Sequence, residues 1–317
     1  KGVEKNEVRA ADLFQEAMDK GDAGAIFYLA QCYEKGAGVA KNEARAAKLY
    51  QEAVDKGIDE AIVNLGLCYD RGAGVTKNVV RAVELYKKAM DKGDDEAINN
   101  LGACYEKGEG VEKNEVRAAK LYQEAMSKGN INAIHNLAFC YRHGTGVTKN
   151  EARAVELFEK AMNEGIVDAI HNTGVCYEFG TGVAKNEVRA AELYQKAMDK
   201  GHVRAIQFLG NCYEHGKGVA KNEVRAAELY QEAMDKGHMG AIYNLGGCYE
   251  FGKGVAKNEV RAAELYQEAM DKGVVFAINR LALCYGQGRG VAKNESRAVE
   301  LFQQAMDKGD VDAICNL

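Results

Sequence analysis

Counted from Cys32, a cysteine returns every thirty-sixth residue: Cys32, Cys68, Cys104, Cys140, Cys176, Cys212, Cys248 and Cys284. Tyr33, Gly36, Gly38, Val39, Lys41, Asn42 and Arg45 recur at the same spacing without one insertion. A fixed period of this length marks a stacked repeat protein, in which each unit is too small to bury its own apolar face and covers it with its neighbours. Such a chain presents an extended surface, so binding is the first function to look for. The unbroken period overrides the two-domain expectation that 317 residues would otherwise raise. It predicts one continuous array over 1–317, with units at about 22–57, 58–93, 94–129, 130–165, 166–201, 202–237, 238–273 and 274–309 and a partial unit at each end.

The unit from Asp94 to Gly129 shows why the period folds. Ala97, Ile98, Leu101, Cys104 and Tyr105 recur at three- and four-residue steps, which places them on one face of a helix. Asp94 is the expected N-cap, with Asp95 and Glu96 at the positive end of the dipole. Gly108 is suited to end the helix in a left-handed conformation, and Gly110 gives the loop a second permissive dihedral. Val111 should plug the loop into the core. Asn114 caps a second helix, in which Ala118, Leu121, Tyr122, Ala125 and Met126 repeat the spacing and Glu124 and Lys128 form an i,i+4 pair. Gly102 and its equivalents, glycine or alanine throughout, let helices approach closely. Each unit is therefore a helix–turn–helix hairpin, and about nine of them stack into an all-α solenoid. With no proline in the chain, glycine supplies the reversals.

The pattern A-x-x-x-L-G-x-x-Y-x-x-G-x-G-V, present from Ala97 to Val111 and followed by a capped helix with A-x-x-L-Y-x-x-A, resembles the Sel1-like repeat family over essentially the whole chain. The resemblance implies a right-handed superhelix related to tetratricopeptide arrays, with the first helix of each unit on the concave face, and a role as adaptor or assembly scaffold. Two features depart from the family pattern. Leu121-Tyr122 stands where members often have Trp-Tyr, and one cysteine per unit replaces the bridged pair of the secreted cysteine-rich members.

Chemistry finds little to work with. A net charge of −5 argues against nucleic acid and anionic membranes as main partners, and no apolar stretch is long enough for membrane insertion. Cysteines on successive packed helices should lie about 8–10 Å apart, beyond the roughly 7 Å a disulfide allows. They are read as small buried residues; Cys315 falls off the ladder at an outward position. Free thiols in this number favour a reducing, cytoplasmic compartment. None of His135, His143, His171, His202, His215 and His238 belongs to a ligand motif such as H-E-x-x-H, so they are read as exposed contact residues, with no metal and no cofactor expected. The G-x-G-V-x-K-N loop lacks the G-K-[ST] ending and follows a helix, so it is a turn. Ser127 and Ser296 lie in neither G-x-S-x-G nor S-x-x-K, and the chain is not read as an enzyme.

Comparing the copies shows where they differ. With the first-helix leucine at 0°, the near-invariant Ala, Ile, Cys and Tyr fall within about 60° of it, and three variable columns sit opposite. The first runs Phe27, Val63, Asn99, His135, His171, Gln207, Tyr243, Asn279; the second Gln31, Leu67, Ala103, Phe139, Val175, Asn211, Gly247, Leu283; the third Lys35, Arg71, Lys107, His143, Phe179, His215, Phe251, Gln287. Exposure alone could produce the drift, yet outward residues of the second helix such as Glu192, Gln195, Asp199 and Lys200 recur as Glu228, Gln231, Asp235 and Lys236. Changes confined to the first helix, with aromatics among amides and imidazoles, have the composition of a binding groove. Beside them runs a row of asparagines, Asn64, Asn100, Asn136, Asn172, Asn244 and Asn316. These amides could hold the backbone of an extended peptide or bond internally to the neighbouring loop.

Two functions are thus open. The first is a scaffold binding a peptide or protein along the concave stripe through Asn99, Asn100, His135, Asn136, Phe139, His143, His171, Asn172, Phe179, Gln207, Asn211, His215, Tyr243, Asn244 and Phe251. The second is a structural protein assembling end to end. It is suggested by the apolar Leu13, Phe14, Ala17 and Met18 of the first half-unit, which lacks a polar capping repeat, and by the break at Leu317. A chain opening at Lys1 partway through a unit also fits a window of a longer array.

Overall fold

A computed structural model describes residues 6–311 and 313. Among them are seventeen helices and no strand. They fall into two compact units, 1–164 and 165–317. The first holds α1 (Glu7–Asp19), α2 (Ala23–Lys35), α3 (Glu43–Asp55), α4 (Glu60–Arg71), α5 (Val79–Asp91), α6 (Asp95–Lys107), α7 (Glu115–Ser127), α8 (Ile131–His143) and α9 (Glu151–Asn163). The second holds α10 (Val167–Phe179), α11 (Glu187–Asp199), α12 (Val203–His215), α13 (Glu223–Asp235), α14 (Met239–Phe251), α15 (Glu259–Asp271), α16 (Val275–Gln287) and α17 (Glu295–Asp307).

The local signals act as the sequence predicts. Asp94 Oδ1 accepts from the Ala97 amide at 2.7 Å, and Asn114 Oδ1 accepts from the Arg117 amide at 2.9 Å. Asparagine caps every second helix in the same way, from Asn6 at α1 to Asn294 at α17. Gly108 closes α6 at φ 75°, its N–H donating to the Cys104 carbonyl. Asn114 N then bonds the Tyr105 carbonyl at 2.8 Å, so the loop is tied to the helix it leaves. Val111 packs against the core as expected. The ion pair expected at Glu124–Lys128 is not formed; the equivalent residues pair at Glu16–Lys20 (2.6 Å) and Glu52–Lys56 (3.8 Å).

Two glycine columns set the packing. A Cβ on Gly102 would sit 2.7 Å from the Tyr122 ring, and on Gly210 2.6 Å from the Tyr230 ring, so the second-helix tyrosine lies directly on the first-helix backbone of its own hairpin. The second loop glycine does more than turn the chain. A Cβ on Gly146 would come within 2.0 Å of the Glu115 carbonyl oxygen, and one on Gly218 within 2.0 Å of that of Glu187. Each loop is thereby pressed backbone-to-backbone onto the first turn of the preceding hairpin's second helix. The sequence pattern shows the dihedral requirement but not this contact.

Gly146 has φ 71° and a facing backbone that cannot move away, whereas Gly129 has φ 101° and open space around its missing Cβ. Gly129→Ala should therefore cost only conformational strain, about 1 kcal/mol, and Gly146→Ala about 3 kcal/mol or more. Urea denaturation of the two variants checks this, and equal losses would contradict the packing role.

Candidate functional site

The first helices carry the variable residues, and stacking decides which of them reach solvent. A repeat helix has neighbours on two sides, so the direction opposite its hydrophobic face is only partly open. In the first unit Asn99 is buried, while Asn100, His135, Asn136 and Phe139 are half-buried and His143 is exposed. In the second unit His171 is buried, Asn172, Gln207, Asn211, Tyr243 and Asn244 are half-buried, and Phe179, His215 and Phe251 are exposed. The expectation that all three variable columns face outward is thus corrected for the first column. It turns toward the cleft with the next hairpin: the His171 ring lies 5.5 Å from Tyr194 of its own hairpin and, across the cleft, 4.8 Å from Phe208 and stacked at 4.6 Å on His202. His135 and Phe139 pack edge-on against Phe158 at 5.6 and 5.3 Å, and the exposed His143 stacks on Phe139 at 5.9 Å.

Three members of the asparagine row bond to side chains of the preceding hairpin's helices. Asn136 Nδ2 donates to Asn99 Oδ1 at 2.9 Å, Asn244 Nδ2 to Asn211 Oδ1 at 3.1 Å, and Asn64 Nδ2 to the Tyr50 hydroxyl at 3.3 Å. Each links neighbouring hairpins. Asn316, Cys315 and Leu317 lie outside the described residues.

A row the sequence comparison did not single out lies beneath this surface. The second-helix tyrosines are buried, and their hydroxyls donate to a carboxylate sixteen residues earlier: Tyr50 to Glu34, Tyr122 to Glu106, Tyr194 to Glu178 and Tyr266 to Glu250, each at 2.7 Å. The Tyr230 hydroxyl lies 2.8 Å from Glu214 and 2.7 Å from Asn211. Where position −16 is Arg142 or Gly286, the aromatic is Phe158 or Phe302, with no hydroxyl to satisfy. Asp70 is one methylene shorter than glutamate, and the Tyr86 hydroxyl is left without a partner. The covariation was present in the sequence and would have located the pair.

In the second unit a cation from the following loop completes the arrangement. Lys217 lies 3.6 Å from Glu178, Lys253 2.8 Å from Glu214 and Arg289 2.8 Å from Glu250. Burial works against the charged Glu214 carboxylate, but hydrogen bonds from Lys253 and Tyr230 outweigh it and hold its pKa below the ordinary value. The periodic cysteines are buried thiols outside any disulfide. Burial, with a smaller contribution from acidic neighbours, raises the Cys68 thiol to about 11 and the Cys140 thiol to about 12, so neither is a thiolate nucleophile near neutrality. Among the described residues no group of three or more His, Cys, Asp or Glu side chains could hold a metal, and no helix is long and apolar enough to cross a membrane.

Stacked α-hairpins with these caps and loop glycines define the class of helical-repeat solenoids. The family model of the Sel1 repeat matches residues 1–22, 23–58, 59–94, 95–130, 131–165, 167–202, 203–238, 240–274 and 275–310. The chain belongs to the Sel1 repeat family. It is similar to the crystal structure of a protective antigen present in uropathogenic Escherichia coli strains and displaying an SLR fold, with 30% identity and a TM-score of 0.73 over 97% of this chain and 66% of that one. The chain thus spans just under two thirds of that relative's length. A Sel1 repeat protein from Oxalobacter formigenes is 26% identical with a TM-score of 0.63, over 72% of this chain and 97% of that one. Comparison with curated proteins returned no match. Sel1 repeats generally mediate protein–protein interactions and are typically non-enzymatic scaffolds.

Two histidines read from sequence as exposed contacts are structural. His202 caps α12, its Nδ1 accepting from the Ala205 amide at 3.0 Å, with Nε2 3.3 Å from Asp168. His238 takes the same position at α14 with Nδ1 buried and unpartnered. Burial lowers both pKa values; Arg204 adds to the effect at both, and Asp168 partly opposes it at His202. The unfolded chain, with imidazoles near 6.5, therefore binds more protons as pH falls. Stability from these groups is complete above about pH 6.5 and is lost as pH drops through that value toward the folded pKa. Melting temperature should fall between about pH 7.5 and 5.5, and His202→Asn with His238→Asn, which cap without titrating, should shrink the fall. An unchanged fall would contradict the assignment.

Proposed function

We propose that this chain is a non-enzymatic interaction scaffold that binds a peptide or protein segment along the exposed edge of its first helices. The observation that carries the reading is the contrast between two surfaces built on one repeat. The outer residues of the second helices recur nearly unchanged, while the edge positions of the first helices differ from copy to copy and include large exposed aromatics. Phe179 is 61% and Phe251 51% exposed. An apolar ring left in water costs roughly 25 cal/mol per Å², and burying such rings is how a few anchors come to dominate an interface. The half-buried Gln207, Asn211, Tyr243 and Asn244 flank them with polar groups suited to a peptide backbone. His143 offers the corresponding exposed ring in the first unit. Asn99 and His171 support this surface from beneath and do not line it.

Selection from a random phage-displayed peptide library against the whole chain tests the reading. Phe179→Ala with Phe251→Ala should change stability by no more than about 0.5 kcal/mol, as expected of exposed positions, and should weaken selected peptides about tenfold or more. Peptides that bind the double variant undiminished would place recognition elsewhere.

A further inference from the structure

The first helices of the two units carry the same formal charge, but the loops that follow them and the depth of their carboxylates differ, and this specifies a ligand for the second. In 1–164 the exposed Lys35, Arg71 and Lys107 are accompanied by the exposed Glu60 and Glu96, and Glu109 stands in a loop. In 165–317 the only acids on the first helices α10, α12, α14 and α16 are Asp168, Glu178, Glu214 and Glu250. Three of these are spent internally: the Glu178, Glu214 and Glu250 side chains are only 9%, 16% and 5% exposed, each bonded to a buried tyrosine and a loop cation. The cations lie above them. The loop position between the two turn glycines reads Ala37, Ala73, Glu109, Thr145 and Thr181, then changes to Lys217, Lys253 and Arg289. With the exposed Arg204 and the half-buried Arg280, these side chains remain partly open. Lys217 and Lys253 keep N–H donors that their carboxylates do not use, while Arg289 also gives Nε and Nη2 to Gln287.

Rings lie among these cations. Lys253 and Arg280 stand 5.9 and 5.8 Å from the centroid of the exposed Phe251, and Arg204 5.6 Å from that of the half-buried Phe208. Phe179, Phe251 and Phe276 open to solvent on α10, α14 and α16. What an approaching molecule meets is therefore cationic and aromatic, although the carboxylates beneath nearly balance the count.

We propose that the first-helix edge of 165–317 binds an extended acidic peptide segment that carries aromatic or large aliphatic side chains to meet Phe179 and Phe251. This rests on the binding reading above and adds the ligand's chemistry. The spacing follows from geometry. Phe179 and Phe251 stand at the ends of α10 and α14, two first helices apart. Packed helices repeat at roughly 10 Å and an extended chain advances about 3.3 Å per residue, so these two rings meet side chains about six residues apart, a spacing that a ring at every third residue also supplies. Carboxylates between them reach the Arg and Lys donors. A nucleic-acid strand, the other ligand that pairs stacking faces with negative charge, carries a phosphate at every residue and calls for a groove that is basic throughout, whereas here a carboxylate lies beside each loop cation.

Fluorescence anisotropy on the whole chain tests this with four labelled probes: a peptide of four Asp-Glu-Phe repeats, the same with Asn-Gln-Phe, the same with Lys-Arg-Phe, and a uridine dodecamer. The acidic probe should bind about tenfold or more tighter than each other probe, and added salt should weaken it. Phe251→Ala and Arg204→Glu should each weaken it about tenfold, with circular dichroism confirming the fold, while Lys120→Glu on α7 should leave it unchanged. Equal or better binding of the neutral or basic peptide, still lost in Phe251→Ala, would overturn the acidic assignment and leave the scaffold reading intact. Preference for the uridine strand, binding indifferent to both substitutions, or no binding of the acidic probe would overturn the proposal outright; the peptide-library selection judges the scaffold reading independently.

Discussion

Everything in this fold depends on one aromatic ring per hairpin, a tyrosine except at Phe158 and Phe302, being buried against the helix it returns along. The ring can lie there only because the facing residue is glycine or alanine: a Cβ at Gly66, Gly174 or Gly246 would stand 2.7–2.8 Å from the nearest ring carbon. Burial at that depth leaves the hydroxyl unable to reach water, and a buried polar group without a partner costs more than a made hydrogen bond returns. The glutamate sixteen residues earlier removes the penalty. Its own charge then needs an outlet, which in the second unit is the lysine or arginine of the next loop. A steric fit within one hairpin thus becomes a polar link between hairpins.

The same arrangement sorts the surface. Since each first helix is flanked by others, its first variable column is drawn into the cleft between hairpins, where Asn99 meets Asn136 and His171 meets His202 and Phe208. Only the edge beyond remains free, and there the copies hold Lys35, His143, Phe179 or Phe251 without consequence for the packing below. A scaffold that fixes its interior by repetition and leaves one edge unconstrained can alter what it binds without altering how it folds. The carboxylates Glu178, Glu214 and Glu250 belong to the interior in this sense, which is why the edge of 165–317 shows mainly its cations.

Much of this was legible in the sequence because the period turns one chain into many aligned copies. The hairpin, its asparagine caps, the left-handed glycines and the buried cysteine face all follow from spacing and residue type. The depth of Asn99 and His171 did not, because a helical wheel gives direction around one helix and says nothing of the neighbours on either side. His202 was misread for a related reason: a cap is recognised by residue preference, and imidazole seldom serves as one; His238 holds the same N-cap position without a side-chain bond. The tyrosine–glutamate link was legible in principle, since Phe158 and Phe302 occur where the acid is replaced, but the signal lies in a pair of columns and each column alone looks like ordinary core or ordinary surface.

The central claim is that the buried hydroxyl and the carboxylate act as one unit. A double-mutant cycle on Glu178→Gln and Tyr194→Phe, read by urea denaturation near pH 7, measures it most directly. A hydrogen bond to a charged group predicts a coupling of about 1.5–3 kcal/mol, so that the double variant is markedly less destabilised than the sum of the single ones. Additive losses would show that the ring is held by packing alone and that the carboxylate row plays no part in fixing the stack.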